Sequence, residues 1–301
     1  DGETLSERVV EVREMKQSVT FYGVKEKPVP SLLRGFSSPV ILDYGYQDEE
    51  LAFLLANDSD SFSRWEAGQT LCIRVIMGMI EELKAGGEAK VPALVVDAFR
   101  RLLTTEGLDK ALLAESLALP SEAYLAEKME VVDVDNIHVA RKALKKHLAT
   151  SLRSEFESIF DANQEEGEYT FDAESVGRRS LKNTSLGYLM ALDDAAITQR
   201  CFKQYEAAHN MSDVMAALGN LVDTDTEERT TAFAAFYDKW QDDALVTNKW
   251  FSLQAMADRE NVLDEVKELT KHPAFSMTNP NRLRSLIGVF CMGNRVHFHA
   301  L

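Results

Sequence analysis

SVTFYGVKEKPVPSLLRGFSSPVILDYGYQDEELAFLLANDSDSFSRWE, residues 18–66, is where the chain changes character. Up to Tyr44 the apolar residues come in short runs, Val19-Phe21 and Val40-Leu42, separated by Pro28, Pro30 and Pro39. That is the pattern of strands and their connections. From Asp48 the apolar spacing turns helical, and no convincing strand follows until the last few residues. The switch decides the fold class: a little β structure first, then α.

Working outward toward the N-terminus, Val10 and Val12 share one face of an extended segment while Arg and Glu hold the other, so residues 1–16 read as a half-exposed strand. Three or four strands before Gly45 are too few to close a sheet, and an open sheet has edges that need covering. Toward the C-terminus, Ser63 with Glu66 reads as a capping box for a helix through Met77, and Pro92 suits the first turn of the next. Asp109 and Ser121 are expected caps of two shorter helices. No proline falls between Pro120 and Pro273, and helices are expected over 135–160, 172–192, 194–209, 212–222, 225–241 and 246–257. Their expected caps are Asp135, Asp172, Asp194, Ser212, and Thr224 with Glu227. Connections as short as Asp193 and Asn210-Met211 force neighbouring helices to fold back on each other. So many antiparallel helices exceed one spherical core, and stacked pairs in a superhelix follow. The expected fold is therefore mostly α: a partial small β-sandwich over 1–45, then a superhelical, solenoid-like α domain over 46–301.

Composition bounds the function. The 301 residues are 45% apolar and 27% charged, an ordinary globular balance, with a formal charge of −16. That charge opposes polyanion binding. The longest basic run, Arg141 to His147, reads as a solvated helix face, so nucleic acid is not an expected partner. No 18-residue apolar run occurs, and the charged start is unlike a signal peptide, so neither membrane nor secretion is expected. Cys72, Cys201 and Cys291 are odd in number, far apart and in apolar or helical contexts, which reads as buried thiols in a reducing, cytoplasmic compartment. Sequons at Asn57, Asn183 and Asn210 matter only in a secreted protein.

The sequence contains no glycine-rich nucleotide fingerprint, no phosphate loop, no Gly-x-Ser-x-Gly and no His-Glu-x-x-His. His297 and His299 have ligand-like spacing for one strand face, but a packed or half-exposed strand explains them better than a metal. The pairs Glu81-Glu82, Glu165-Glu166 and Asp242-Asp243 read as solvated carboxylates, and Trp240, Trp250 and Phe251 as packing anchors. The run Thr278 to Phe290 is more specific. Asn279 caps a helix beginning at Pro280, which puts Arg282 and Arg284 in early turns where the macrodipole disfavours cations. Either these arginines have internal carboxylate partners, or a guanidinium is aimed at an anionic ligand.

Several runs of this chain resemble one family. Val19-Thr20-Phe21-Tyr22, Lys27 to Val40, Phe62 to Gln69, Tyr205 to Asp213, Asp238-Lys239-Trp240 and Asn279 to Phe290 with Phe298-His299-Ala300 are collinear across the whole chain. They are similar to the C-terminal portion of bacterial-type aminopeptidase N, a gluzincin zinc metallopeptidase family. The resemblance implies the second half of that family's small β-sandwich, then most of its helical domain, truncated after Leu301. The zinc ligands, the water-activating Glu and the transition-state Tyr of the family belong upstream, so no catalytic and no metal residue is expected in this chain, and zinc belongs to the parent enzyme alone. The helical domain is then expected to enclose the active-site cavity and control entry of peptides, with its own catalytic domain as partner. Arg284 would lie at the primed end of the substrate site, with Arg282 the weaker candidate. The competing reading is a stand-alone helical-repeat scaffold that binds a protein partner.

Overall fold

The computed structural model describes residues 7–165 and 167–300. The chain falls into two units, one ending at Pro30 and the other starting at Ser31.

The first unit is extended, and no strand ladder forms among the described residues. Val9, Val12, Met15, Phe21 and Tyr22 are exposed, so the segment has no core of its own. What order it shows is local: Gln17 donates to the Glu11 carbonyl at 2.7 Å, and the Arg8 guanidinium lies over the Phe21 ring. The expected strands around Val10, Val19-Phe21 and Val40-Leu42 are thus extended but unpaired. A strand is stabilised by its neighbours, and these few segments present too little matched edge to form a ladder.

The second unit opens with a short 3-10 turn, Arg34–Phe36, in which Leu33, Gly35 and Phe36 take left-handed φ of 54°, 61° and 52°. For Leu and Phe that is strained backbone. Polar contacts hold it: Arg34 donates to Asp58 at 2.6 Å and to Ser59 at 2.8 Å, and the Gly35 amide donates to Asp60 at 2.9 Å. Segment 31–46 lies over α1 (Asp48–Asn57) and α2 (Ser61–Lys84), leaving a cavity of about 340 Å³ walled by Leu32, Phe36, Ile41, Leu51 and Phe62. Arg64 is buried and takes the carbonyls of Ala56 and Asp58, which closes the C-terminal end of α1.

The helices that follow are α3 (Ala93–Thr104), α4 (Lys110–Ser116), α5 (Glu122–Ala126), α6 (Val134–Ser151), α7 (Arg153–Ala162) and α8 (Ala173–Met190). Then come α9 (Ala195–Ala207), α10 (Met211–Leu221), α11 (Glu227–Trp240), α12 (Ala244–Ala255) and α13 (Val262–Leu269). The chain continues through α14 (Pro280–Leu283), a π turn at Arg284–Gly288, α15 (Val289–Gly293) and α16 (Arg295–Phe298). Neighbours in sequence pack as antiparallel pairs: α1 with α2, α7 with α8, α9 with α10, α11 with α12. Successive pairs then stack, α8 on α10 and α9 on α11, as expected of a helical solenoid.

The core follows from helical spacing. Ile137, Ala140, Leu144 and Leu148 make one buried stripe of α6. Phe156 of α7 stacks on Tyr188 of α8 with centroids 4.5 Å apart, and the Tyr188 hydroxyl donates to the Leu117 carbonyl at 2.6 Å. Gly68 lets α1 and α2 approach closely, since a Cβ there would sit 2.9 Å from Leu55 Cδ1.

Several boundaries differ from the sequence expectation. Asp109, Ser121, Asp172 and Asp194 cap as expected, each accepting from a backbone amide two or three residues on. Elsewhere the cap lies earlier: Asp60 rather than Ser63, Asp133 rather than Asp135, Asn210 rather than Ser212. In each case two polar residues compete near the start, and the earlier one reaches the exposed amide. The helix expected from Thr224 begins at Glu227, after Thr226, without a side-chain cap. The single helix expected over 135–160 breaks at the buried Leu152, where φ and ψ are −124° and 24°. No proline or glycine causes this. Thr150 bonds back to the Lys146 carbonyl, and Arg100 of α3 takes the Ser151 carbonyl at 3.0 Å, so the carbonyl freed at the kink is satisfied. The strand expected at the C-terminus is instead α16.

Candidate functional site

The Asn279 to Phe290 run forms the cap and helix start read from its sequence, but the single helix expected there is split by a π turn. The Asn279 side chain accepts from the amides of Asn281 and Arg282 at 3.0 and 3.3 Å, and Pro280 opens α14. One turn later the ladder widens into the π turn at Arg284–Gly288. Such a turn loosens the carbonyl ladder, and Ser252 of α12 donates its hydroxyl to the Ser285 carbonyl at 3.0 Å.

The two arginines part company here. Arg282 is buried: its guanidinium donates to Asn248 Oδ1 at 2.9 Å and to the Ala244 carbonyl at 3.3 Å, and lies over the Phe251 ring. The carboxylate partner expected for it is replaced by a neutral amide, a carbonyl and an aromatic face. Burial accordingly pulls the Arg282 pKa down. Arg284 is exposed on the opposite side of the turn, since two residues along a helix rotate by about 200°. Among the described residues its side chain has no hydrogen bond or ion pair. Arg282 anchors the turn on α12, and Arg284 is the cation the turn presents.

Beneath the turn lies an aromatic cluster. The His272 ring meets Tyr237 edge-on at 4.8 Å and lies 5.3 Å from Trp250, and its Nδ1 accepts from the Ala274 amide at 3.2 Å. Burial, then the Arg282 charge, lowers the His272 pKa. Trp250 donates its indole N–H to the Phe233 carbonyl at 3.0 Å, and Phe251 is fully buried. These rings are packing anchors, as their sequence context implies.

His297 and His299 do not share a strand face. His297 lies on α16 with Nε2 3.0 Å from Asp258 Oδ1, while His299 is exposed at the end of that helix. Among the described residues no three His, Cys, Asp or Glu side chains converge as ligands for a metal, so the donor set that zinc needs does not fit these residues.

The acidic pairs also divide. Glu165 is not solvated: Arg179 holds it at 2.8 Å in a buried pair, and Glu166 lies outside the described residues. Asp243 caps α12. Glu81 pairs with Lys84 on the surface.

Two polar clusters escaped the sequence reading. In the first, Asp213 of α10 accepts from Lys182 at 2.7 Å, Asn183 at 2.9 Å and Asn210 at 3.0 Å, and both charged residues are buried. Asn183 and Asn210, two of the sequon asparagines, are occupied in this network. In the second, Asp258 gathers Lys142 and His138 of α6 and His297 of α16. The signals in the sequence were charged residues on helices and in their connections, including the run from Arg141 to His147, and none of these fixes a partner. All three cysteines are free; Cys72 and Cys201 are buried, and burial pushes both thiols up to about 12.

No helix among the described residues is long and apolar enough to cross a membrane. The chain is 39% identical over 292 residues to aminopeptidase N of Escherichia coli, which takes in 97% of the chain and 33% of that protein. To aminopeptidase N of Haemophilus influenzae it is 34% identical, over 99% of the chain and 34% of the relative. To that of Caulobacter vibrioides it is 35% identical over the same shares. The chain thus spans about a third of the length of these relatives. The crystal structure of Legionella pneumophila aminopeptidase A in complex with aspartic acid superposes with a TM-score of 0.77 at 30% identity, covering 90% of the chain and 32% of that protein. Residues 1–45 match a domain of unknown function with an Ig-like fold, DUF3458, which bears out the expected sandwich class, although no ladder forms among the described residues of that segment. Residues 48–301 match the domain of unknown function DUF3458_C, described as ARM repeats, and the chain belongs to that family, homologous to the C-terminal region of aminopeptidase N.

Proposed function

We propose that this chain is the non-catalytic C-terminal region of a zinc-dependent aminopeptidase, and that its helical repeats enclose the active-site cavity and control the entry of peptides. The homology over nearly the whole chain supports the parent activity. The metal and the bond-breaking groups then reside on the enzyme's own catalytic domain, which is this region's partner. An intracellular location belongs to the same reading, supported by three unpaired cysteines. The charge of −16 argues against nucleic acid as a partner.

The observation that carries the substrate role is Arg284. A guanidinium that is exposed, free of internal partners among the described residues, and presented on a turn anchored by buried Arg282 suits a peptide's carbonyls or C-terminal carboxylate. Arg282, committed to Asn248 and Ala244, is a positioning residue in this reading. In the full-length enzyme, Arg284→Ala is expected to raise KM for peptides several-fold while changing little for single-residue amides, which are too short to reach it. Equal effects on both substrate types would remove Arg284 from the substrate site.

A further inference from the structure

The basic run on α6, which reads as a solvated face, is built into the contacts between repeats. His138, Lys142 and Lys146 recur every fourth residue and so form one row along about 12 Å of helix. Opposite them stand the connections of three successive helical pairs, and each connection carries an aspartate. Asp193, between α8 and α9, takes a left-handed φ of 56° and meets Lys146 at 2.6 Å. Asp223, between α10 and α11, makes no ion pair with the row among the described residues; burial raises its carboxyl, with Lys145 and Lys142 pulling it down, and it is tied in by accepting the Asp258 amide at 2.8 Å. Asp258, between α12 and α13, meets Lys142 at 2.5 Å, His138 at 3.3 Å and His297 of α16 at 3.0 Å. His138 also holds Glu122 of α5 through Nδ1 at 2.9 Å.

We propose that this row and the three turn aspartates form an electrostatic ladder that sets how successive helical pairs stack, with His138 as a rung that opens at alkaline pH. It stands apart from the peptidase reading.

The separate ion pairs are partly solvated: the Lys146 and Asp193 side chains are 53% and 76% exposed. Such pairs are individually weak and screened by salt. Here, however, they converge on one helix from three connections, so their effects on stacking combine. His138 differs from the other rungs because it titrates in an accessible range. Asp258, then Glu122, raise its pKa to about 9. Both ring nitrogens are thus committed to carboxylates, Nδ1 to Glu122 and Nε2 to Asp258, and the other cations on Asp258 are Lys142 of the same helix and His297 of α16. A histidine whose folded pKa is raised contributes fully below its unfolded value of about 6.5, and the contribution is lost as pH rises through about 9.

The test is hydrogen exchange, read by mass spectrometry, on the full-length protein. With intrinsic rates corrected for pH, protection of residues 256–261 and 294–299 is expected to fall at least five-fold between pH 6.5 and 9.5. It is expected to fall likewise between 0.05 and 0.5 M NaCl at pH 6.5. His138→Gln should show the low protection at both pH values, and the swap Lys142→Asp with Asp258→Lys should recover part of what Asp258→Lys alone loses. Wild-type protection that ignores both pH and salt overturns the ladder, and needs no variant to fold. A pH step that survives His138→Gln overturns the role of that rung.

Discussion

Replacing Asp213 with asparagine removes one charge and almost no volume at a site where charge decides the outcome. Lys182 and Asp213 are 3% and 4% exposed, and their contact at 2.7 Å joins α8 to α10. Asparagine keeps one acceptor oxygen but turns its NH2 toward an N–H donor, since Lys182, Asn183 and Asn210 all donate to the carboxylate, and it leaves an ammonium buried without a counter-charge, a change that costs about 3–5 kcal/mol. For a chain of this size each kcal/mol lowers Tm by about 2 °C, so thermal unfolding followed by circular dichroism should drop by about 6–10 °C. The pair itself is a different quantity. Lys182→Met with Asp213→Leu removes both charges, leaving the amides of Asn183 and Asn210 short of a partner at about 1–3 kcal/mol. The double variant should therefore be more stable than Asp213→Asn alone. Burial pushes the Asp213 carboxyl up, but the Lys182 ammonium and the two asparagine amides more than offset it, so the folded pKa lies below its ordinary value. Its stabilisation is then present above about pH 4 and lost as pH falls further, and Asp213→Asn should flatten the acid side of the Tm profile. Asp213→Asn within 1 kcal/mol of wild type, or a double variant no better than the single, refutes this account.

Two further outcomes test the packing. Burial holds the Cys72 and Cys201 thiols near 12 while Cys291 is half-buried, so native-state labelling at pH 8, located by mass spectrometry, should find Cys291 first, and Cys72 labelling at the same rate would contradict the core. Gly68→Ala places a methyl 2.9 Å from Cδ1 of the fully buried Leu55; that overpacking, about 1–3 kcal/mol, outweighs the roughly 1 kcal/mol a helix gains from Gly→Ala, so urea unfolding should show a net loss, whereas an unchanged or raised midpoint would show that Leu55 can turn away.

The order and number of the central helices were legible because their apolar spacing, short connections and side-chain caps agree. Helix starts were less so: Asp58, Ser59, Asp60, Ser61 and Ser63 all precede or open α2, and Asp60, which accepts the Ser63 amide as cap, is also held by the Gly35 amide from outside the helix, while Asp58 is taken by Arg34. The break at Leu152 was illegible for a similar reason. The carbonyl it frees is taken by Arg100, some fifty residues earlier, and no local pattern announces that partner. The strands of the first unit were read from alternation and from short apolar runs set off by prolines, which report that a segment suits a sheet and leave open whether a partner edge lies beside it.

The arginine pair of the candidate site marks how far such reading extends. Helical geometry alone separates Arg282 from Arg284, because residues two apart cannot share a face. Which of them turns inward depends on α12, where Asn248 lines up with the Ala244 carbonyl and the Phe251 ring to receive a guanidinium. The macrodipole argument pointed to a carboxylate partner, but a buried guanidinium needs acceptors in the right geometry, and a neutral amide with a carbonyl and an aromatic face meets that need. The carboxylates went elsewhere, to the α6 row, where a run of cations that looked merely solvated gathers the turns of the following repeats. In both places the sequence identifies the charge, while the choice between solvent and partner is made by elements distant along the chain. A lone charged residue in an apolar helical pattern is therefore best read as a contact whose partner is still to be found.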